Sequence, residues 1–159
     1  MAPADPWPEA LRGRLRELMR AAIAEARRAD WPFGCALADF PTGELLAAVG
    51  NSGATDATAH AEMNALRLMA EKKLDARRIV LVSTAEPCPM CATASWWAQV
   101  RGVVWGTSIA TLTQCGFHQI ELSCSDVLAR AKPPSSLLLL GGYLTEETDP
   151  LYRQGPKRK

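Results

Sequence analysis

The stretch Ile79-Val80-Leu81-Val82-Ser83-Thr84-Ala85-Glu86-Pro87-Cys88-Pro89-Met90-Cys91 carries the transition on which the fold turns. Ile79 to Val82 is a continuous apolar run rich in β-branched residues, the pattern of a strand buried on both faces. It leads through Ser83 to Pro87 into Pro89. Proline suits the first helical position, where its missing N–H would have had no intrahelical acceptor. Cys88 is then the expected N-cap of a helix running through Trp97. Cys88 and Cys91 lie three apart at that helix start, so both sulfurs can turn to one ion, and the partial positive charge of the helix N-terminus favours their thiolates.

Upstream, Thr58 to Lys72 is periodic for a helix through Met63, Leu66, Leu68 and Met69. Asp56 or Thr58 is available to cap it, which puts His60 in the first turn. His60 with Cys88 and Cys91 makes a three-ligand zinc set. Three protein ligands rather than four are what a catalytic zinc needs, because the fourth corner must admit water. Glu62, two residues beyond His60, is the base beside that corner. The alternative is a closed structural zinc clip whose fourth ligand comes from His118, Cys35, Cys115 or Cys124, and it leaves Glu62 without a purpose.

The remaining pattern is α/β. Pro8 to Ala29 carries Leu11, Leu15, Leu18, Met19, Ala22, Ile23 and Ala26 at helical spacing, with arginines and glutamates interleaved on the solvent side. Phe33 to Ala38 and Leu45 to Val49 form a hairpin around Pro41-Thr42-Gly43, and Gly50 to Gly53 is a loop. Val103 to Trp105 and Leu137 to Leu140 are further strands. Ile109 to Cys115, Ser125 to Ala131 and Glu146 to Tyr152 are helical. The order predicts one three-layer α/β/α sandwich over 1–154, with a mixed, mostly parallel five-stranded sheet, and a loose basic tail over 155–159. Both halves of the metal motif then fall at helix N-termini, near strand ends, where open α/β sheets keep their sites.

Composition narrows the function classes. Eighteen Lys and Arg against seventeen Asp and Glu leave a net charge of +1 over 159 residues, without the basic field of a dedicated nucleic-acid binder. No segment approaches the roughly 20 apolar residues of a membrane span, and no export signal opens the chain, so a cytoplasmic protein is expected. Five cysteines at mixed spacings fit reduced thiols better than a disulfide framework.

His60-Ala61-Glu62 followed by Pro87-Cys88-Pro89-Met90-Cys91 resembles the His-x-Glu, Pro-Cys-x-x-Cys signature of the zinc-dependent cytidine and deoxycytidylate deaminase superfamily. Within it the chain looks most like the bacterial guanine deaminase and free-nucleobase branch. The similarity covers Pro32 to Tyr152 through Pro32-Phe33-Gly34-Cys35-Ala36, Gly50-Asn51, Thr58 to Glu62, Thr84 to Cys91, Trp97 and Gly116-Phe117. The resemblance implies one zinc per chain on His60, Cys88 and Cys91, with Glu62 as proton shuttle for hydrolytic release of ammonia. It implies substrate contacts from Phe33, Asn51, Ala61, Trp97, Phe117 and Gln119, and from Tyr152 as a tail residue closing over the pocket. It also implies a homodimer paired through helices near the metal site, with scope for exchange of C-terminal segments.

One departure bears on substrate. Guanine deaminases of this kind tend to carry an acidic pair after Gly-Phe, whereas here Gly116-Phe117 is followed by His118-Gln119. A carboxylate only accepts hydrogen bonds; Gln119 can donate as well. The expected activity is deamination of a free nucleobase, a purine or related amino-heterocycle. The alternatives are a tRNA wobble-adenosine deaminase and a non-catalytic zinc domain. The former would show Pro-Val-Gly in place of Pro32-Phe33-Gly34 and a Gly-Ala-Gly-Ser-like turn in place of Cys115-Gly116-Phe117.

Overall fold

Five apolar runs become strands in the computed structural model, which describes residues 3–156. Lys157 to Lys159, most of the expected basic tail, lie outside the described residues. The strands are β1 (Gly34–Asp39), β2 (Leu45–Gly50), β3 (Ile79–Ala85), β4 (Gly102–Thr107) and β5 (Leu138–Leu140), in the order β2-β1-β3-β4-β5. β1 is antiparallel to both of its neighbours, while β3, β4 and β5 pair in parallel. Four strands therefore share one direction and β1 alone opposes them, as a hairpin followed by crossover connections requires.

Alternation along the strands sorts the two faces. Ala36, Ala38, Val80, Val82 and Val104 face α1 (Glu9–Arg28), packing on Leu11, Leu15, Leu18, Met19, Ala22 and Ile23. Cys35, Leu37, Leu81 and Val103 point the other way. There they meet α2 (Ala61–Glu71), α3 (Pro89–Ala98) and, beyond the short α4 (Ile109–Gln114), α5 (Cys124–Ala129). With both faces covered the layering is α/β/α. Gly34 permits the closest approach of α1 to the sheet, since a Cβ there would lie 1.9 Å from the Ala22 carbonyl oxygen. Among the described residues no helix is long and apolar enough to cross a membrane.

Two boundaries differ from expectation. α2 begins at Ala61 with His60 as its N-cap, because the Asp56 carboxylate accepts from the Thr58 N–H at 2.9 Å and hydroxyl at 2.7 Å and spends itself on a turn before the helix. The C-terminal helix shrinks to α6 (Thr145–Thr148) followed by a 3-10 turn, Asp149–Leu151. Pro150 cannot donate to a continuing helix. Glu147 on α6 accepts from Arg20 of α1 at 2.9 Å and ties this segment to its own chain.

Candidate active site

The end of β3 and the first turns of α2 and α3 meet at one edge of the sheet. His60 and Cys88 are the N-caps of α2 and α3, and Cys91 sits one turn into α3. The Cys88 and Cys91 sulfurs lie 3.6 and 3.7 Å from His60 Nδ1. Tetrahedral bonds of ordinary zinc–sulfur and zinc–nitrogen length would place such atoms about 3.6 Å apart, so the three fit a zinc ion without rearrangement. Among the described residues no fourth Cys, His, Asp or Glu joins the group. A closed structural site would need one, so the arrangement is that of an open site.

The electrostatics suit metal capture. A hydrogen bond from Cys91, opposed by burial and reinforced by His60, lowers Cys88 to about 4, so this thiolate stands ready at neutral pH. Cys91 keeps the shared proton and is pushed up, first by its bond to Cys88 and then by burial. His60 is raised by its bond to Cys88. A cation replacing that proton would hold both sulfurs as thiolates.

Glu62 is buried at 4 % exposure, and its Oε1 accepts from the Ser83 hydroxyl at 3.0 Å. Burial raises its pKa above the ordinary carboxylate value, the direction that suits a group taking up and returning a proton. Ser83 holds one oxygen while the carboxylate still lines the adjoining cavity.

That cavity, of about 400 Å³, is lined by Trp31, Phe33, Asn51, Gly53, Ala57, His60, Glu62, Glu86, Cys88, Phe117, His118, Gln119 and Pro156. Phe33, Asn51, Phe117 and Gln119 thus stand where expected around the metal ligands. The Asn51 N–H donates to the Phe33 carbonyl at 3.0 Å, and its Oδ1 accepts from the Gly53 N–H at 2.7 Å. Its amide nitrogen makes no hydrogen bond among the described residues and is left as a donor for the cavity. Asn64, one helical turn beyond His60, donates to the Gly50 carbonyl and the Ser52 hydroxyl, each at 2.9 Å, and so fixes the loop that bears Asn51.

Three expected contacts lie elsewhere. Trp97 is 73 % exposed and stacks edge-on against Trp96 on the outer side of α3. Its position on the helix turns it away from the metal ligands Cys88 and Cys91. Ala61 is fully buried, with its methyl in the core between α2 and the sheet. Only its backbone N–H, at the first position of α2, belongs to the set without an intrahelical acceptor. Tyr152 does not cover the cavity: it is fully buried behind the wall, its ring 5.1 Å from Phe33 and 5.5 Å from Phe117 between centroids. Pro156 lies at the cavity in its place.

Trp31, Glu86 and Asn64 join the site without having been singled out in the sequence. Trp31 and Glu86 adjoin quoted motifs, Pro32-Phe33-Gly34 and Pro87-Cys88. Asn64 is unremarkable within an amphipathic helix.

The sequence model of the cytidine and deoxycytidylate deaminase zinc-binding region matches residues 13–107. A probable cytosine deaminase of Schizosaccharomyces pombe is 28 % identical over 138 residues, covering 84 % of this chain and 84 % of that protein. The guanine deaminase of Bacillus subtilis is 35 % identical over 91 residues, covering 54 % of this chain and 56 % of that protein. Among solved structures, NE0047 in complex with 2,6-diaminopurine superposes with a TM-score of 0.72 at 25 % identity, over 91 % of this chain and 80 % of that one.

Proposed function

The chain belongs to the cytidine and deoxycytidylate deaminase family of zinc-dependent hydrolases, and from that premise we propose that it hydrolyses the amino group of a free nucleobase, a purine or closely related amino-heterocycle, releasing ammonia. The observation that carries the proposal is the cavity, in which an aromatic wall, an amide donor and a glutamine meet beside the metal ligands and Glu62. At about 400 Å³ it has the size and the mixed lining typical of small-molecule sites. The likeness to NE0047, described with bound 2,6-diaminopurine, favours a two-ring substrate. The near-neutral charge speaks against tRNA, whose phosphates would call for a basic surface.

His60, Cys88 and Cys91 would hold a zinc ion, which when bound would supply Lewis acidity and bring the pKa of water at the site toward about 7. Phe33 and Phe117, in edge-to-face contact with each other, offer the flat ring an apolar wall. Asn51 donates to a ring acceptor, and Gln119 reads the opposite edge. Glu62, steadied by Ser83, takes a proton from water and passes it to the ring nitrogen beside the reacting carbon. The hydroxide left behind adds to that carbon, and Glu62 then takes the second proton from the new hydroxyl and delivers it to the amine as the C–N bond breaks. Water is consumed and ammonia released, with Glu62 returned to its starting state.

The proposal includes a homodimer through the α3 face, supported by the 73 % exposure of Trp97 beside Trp96. A sedimentation mass of one 17.2 kDa chain at micromolar concentration would contradict it. The activity is tested by ammonia release from guanine, adenine, cytosine, isoguanine, aminated triazines, the corresponding nucleosides and a tRNA anticodon stem-loop. Release from a free purine or an aminated ring is the expected result. Release from the RNA alone would overturn the proposal.

A further inference from the structure

We propose that Glu86 is a positioning residue that sets the shape of the 115–123 segment and through it the choice of substrate. The inference rests on the proposed role of that segment in reading the ring edge. Glu86 is 8 % exposed at the cavity wall, two residues before Cys88. Its Oε1 accepts from the Ile109 N–H at 3.0 Å and its Oε2 from the Cys124 N–H at 2.8 Å. Its own N–H donates to the Thr107 carbonyl at 2.8 Å, which anchors the Glu86 backbone to the end of β4.

Ile109 and Cys124 are the first residues of α4 and α5. The side-chain caps of these helices, Ser108 and Ser123, accept from Thr111 and Asp126, three residues further on. The first amide of each helix would otherwise have no acceptor, and one buried carboxylate satisfies both. Between the two anchors the chain passes through Gly116, whose φ of +91° suits glycine, to Phe117, His118 and Gln119 on the cavity. Glu86 thus joins the metal-bearing strand end to the starts of α4 and α5, the two helices that flank the segment presenting Gln119.

The task needs two acceptor oxygens at glutamate length. Glutamine offers one acceptor and turns an NH2 toward an N–H; aspartate is a methylene too short to span both amides. Losing a charge-assisted bond there frees the segment rather than the metal ligands.

The test combines amide exchange with substrate discrimination, using Glu86→Gln and Glu86→Asp in the full chain. In the wild type the Ile109 and Cys124 amides are expected to be protected like those of β3; free exchange of either overturns the inference even if neither variant folds. In the variants zinc per chain should match the wild type, while the ratio of kcat/KM between the best and second-best substrates of the ammonia panel falls by about 10-fold or more. An unchanged ratio in a folded, zinc-loaded variant overturns it, even if the melting temperature has dropped. Gln119→Asp separates the two levels. Should it leave discrimination untouched, Gln119 does not read the ring and the reading on which this inference rests fails; should it alter discrimination while Glu86→Gln does not, only the role of Glu86 fails.

Discussion

The Tyr152 hydroxyl lies 2.7 Å from the Thr84 hydroxyl, which also accepts from the Gly34 N–H at 3.1 Å. The turn that bears Tyr152 is thereby bolted to β3 one residue beyond Ser83, the partner of Glu62. Tyr152→Phe removes the hydrogen bond and is expected to cost about 1 kcal/mol. Tyr152→Ala also removes the ring that backs Phe33 and Phe117 and should cost about 3–5 kcal/mol. Denaturant unfolding of both variants checks the order. Equal losses would show that the ring, not its hydroxyl tie, was misjudged.

Trp31 stands at the cavity and, unlike Trp97, shares it with the metal ligands. Base–aromatic contact of this kind is worth about 1–3 kcal/mol. Trp31→Ala should therefore raise KM by about 10-fold with a smaller change in kcat. Steady-state kinetics on the preferred substrate would reveal a KM left in place if the indole merely shields the loop.

Gln119 can donate where the corresponding carboxylate of guanine deaminases only accepts. Gln119→Asp should move the ratio of kcat/KM toward rings presenting two donors on that edge, guanine among them, by about 10-fold or more. Competition assays with paired substrates measure the ratio directly, and an unmoved ratio would remove Gln119 from the reading of the ring.

The fold was largely legible because two periodicities changed at the right places. The continuous apolar run Ile79 to Val82 gave way to Pro89 at a helix start, and that start fixed where Cys88 and Cys91 would lie. His60 and Glu62 were readable from the His60-Ala61-Glu62 motif near a helix start, although that start falls at Ala61 rather than at Thr58. What stayed hidden depended on tertiary closure. Nothing local to Trp97 says that its side of α3 faces outward, and nothing local to Tyr152 says that it is buried behind Phe33 rather than laid over it. Glu86 gains its meaning only from two amides 23 and 38 residues away. The late start of α2 came from Asp56 completing a turn of its own, a competition between two caps that spacing alone does not rank.

Glu147 on α6 is held below the usual carboxylate range, first by its hydrogen bond to Arg20 and also by the charges of Arg20 and Arg16. A depressed folded-state value contributes stability that is complete above the ordinary glutamate value and disappears as pH falls through the folded one. The melting temperature of the wild type should exceed that of Glu147→Gln at pH 7, with the gap closing as pH falls below the ordinary glutamate range. The increment is modest, as expected for a solvent-exposed pair. A gap that persists in acid would mean that the pair does not act through charge.

The central claim is that Glu62 moves the protons of a deamination at a zinc held by His60, Cys88 and Cys91. Its most direct test measures bound zinc and kcat together in Glu62→Gln, on the best substrate of the ammonia panel. Zinc should remain at one per chain while kcat falls by about 10²–10⁴-fold, the usual contribution of a positioned acid–base group. Ammonia release at the wild-type rate from the zinc-loaded variant would contradict the account.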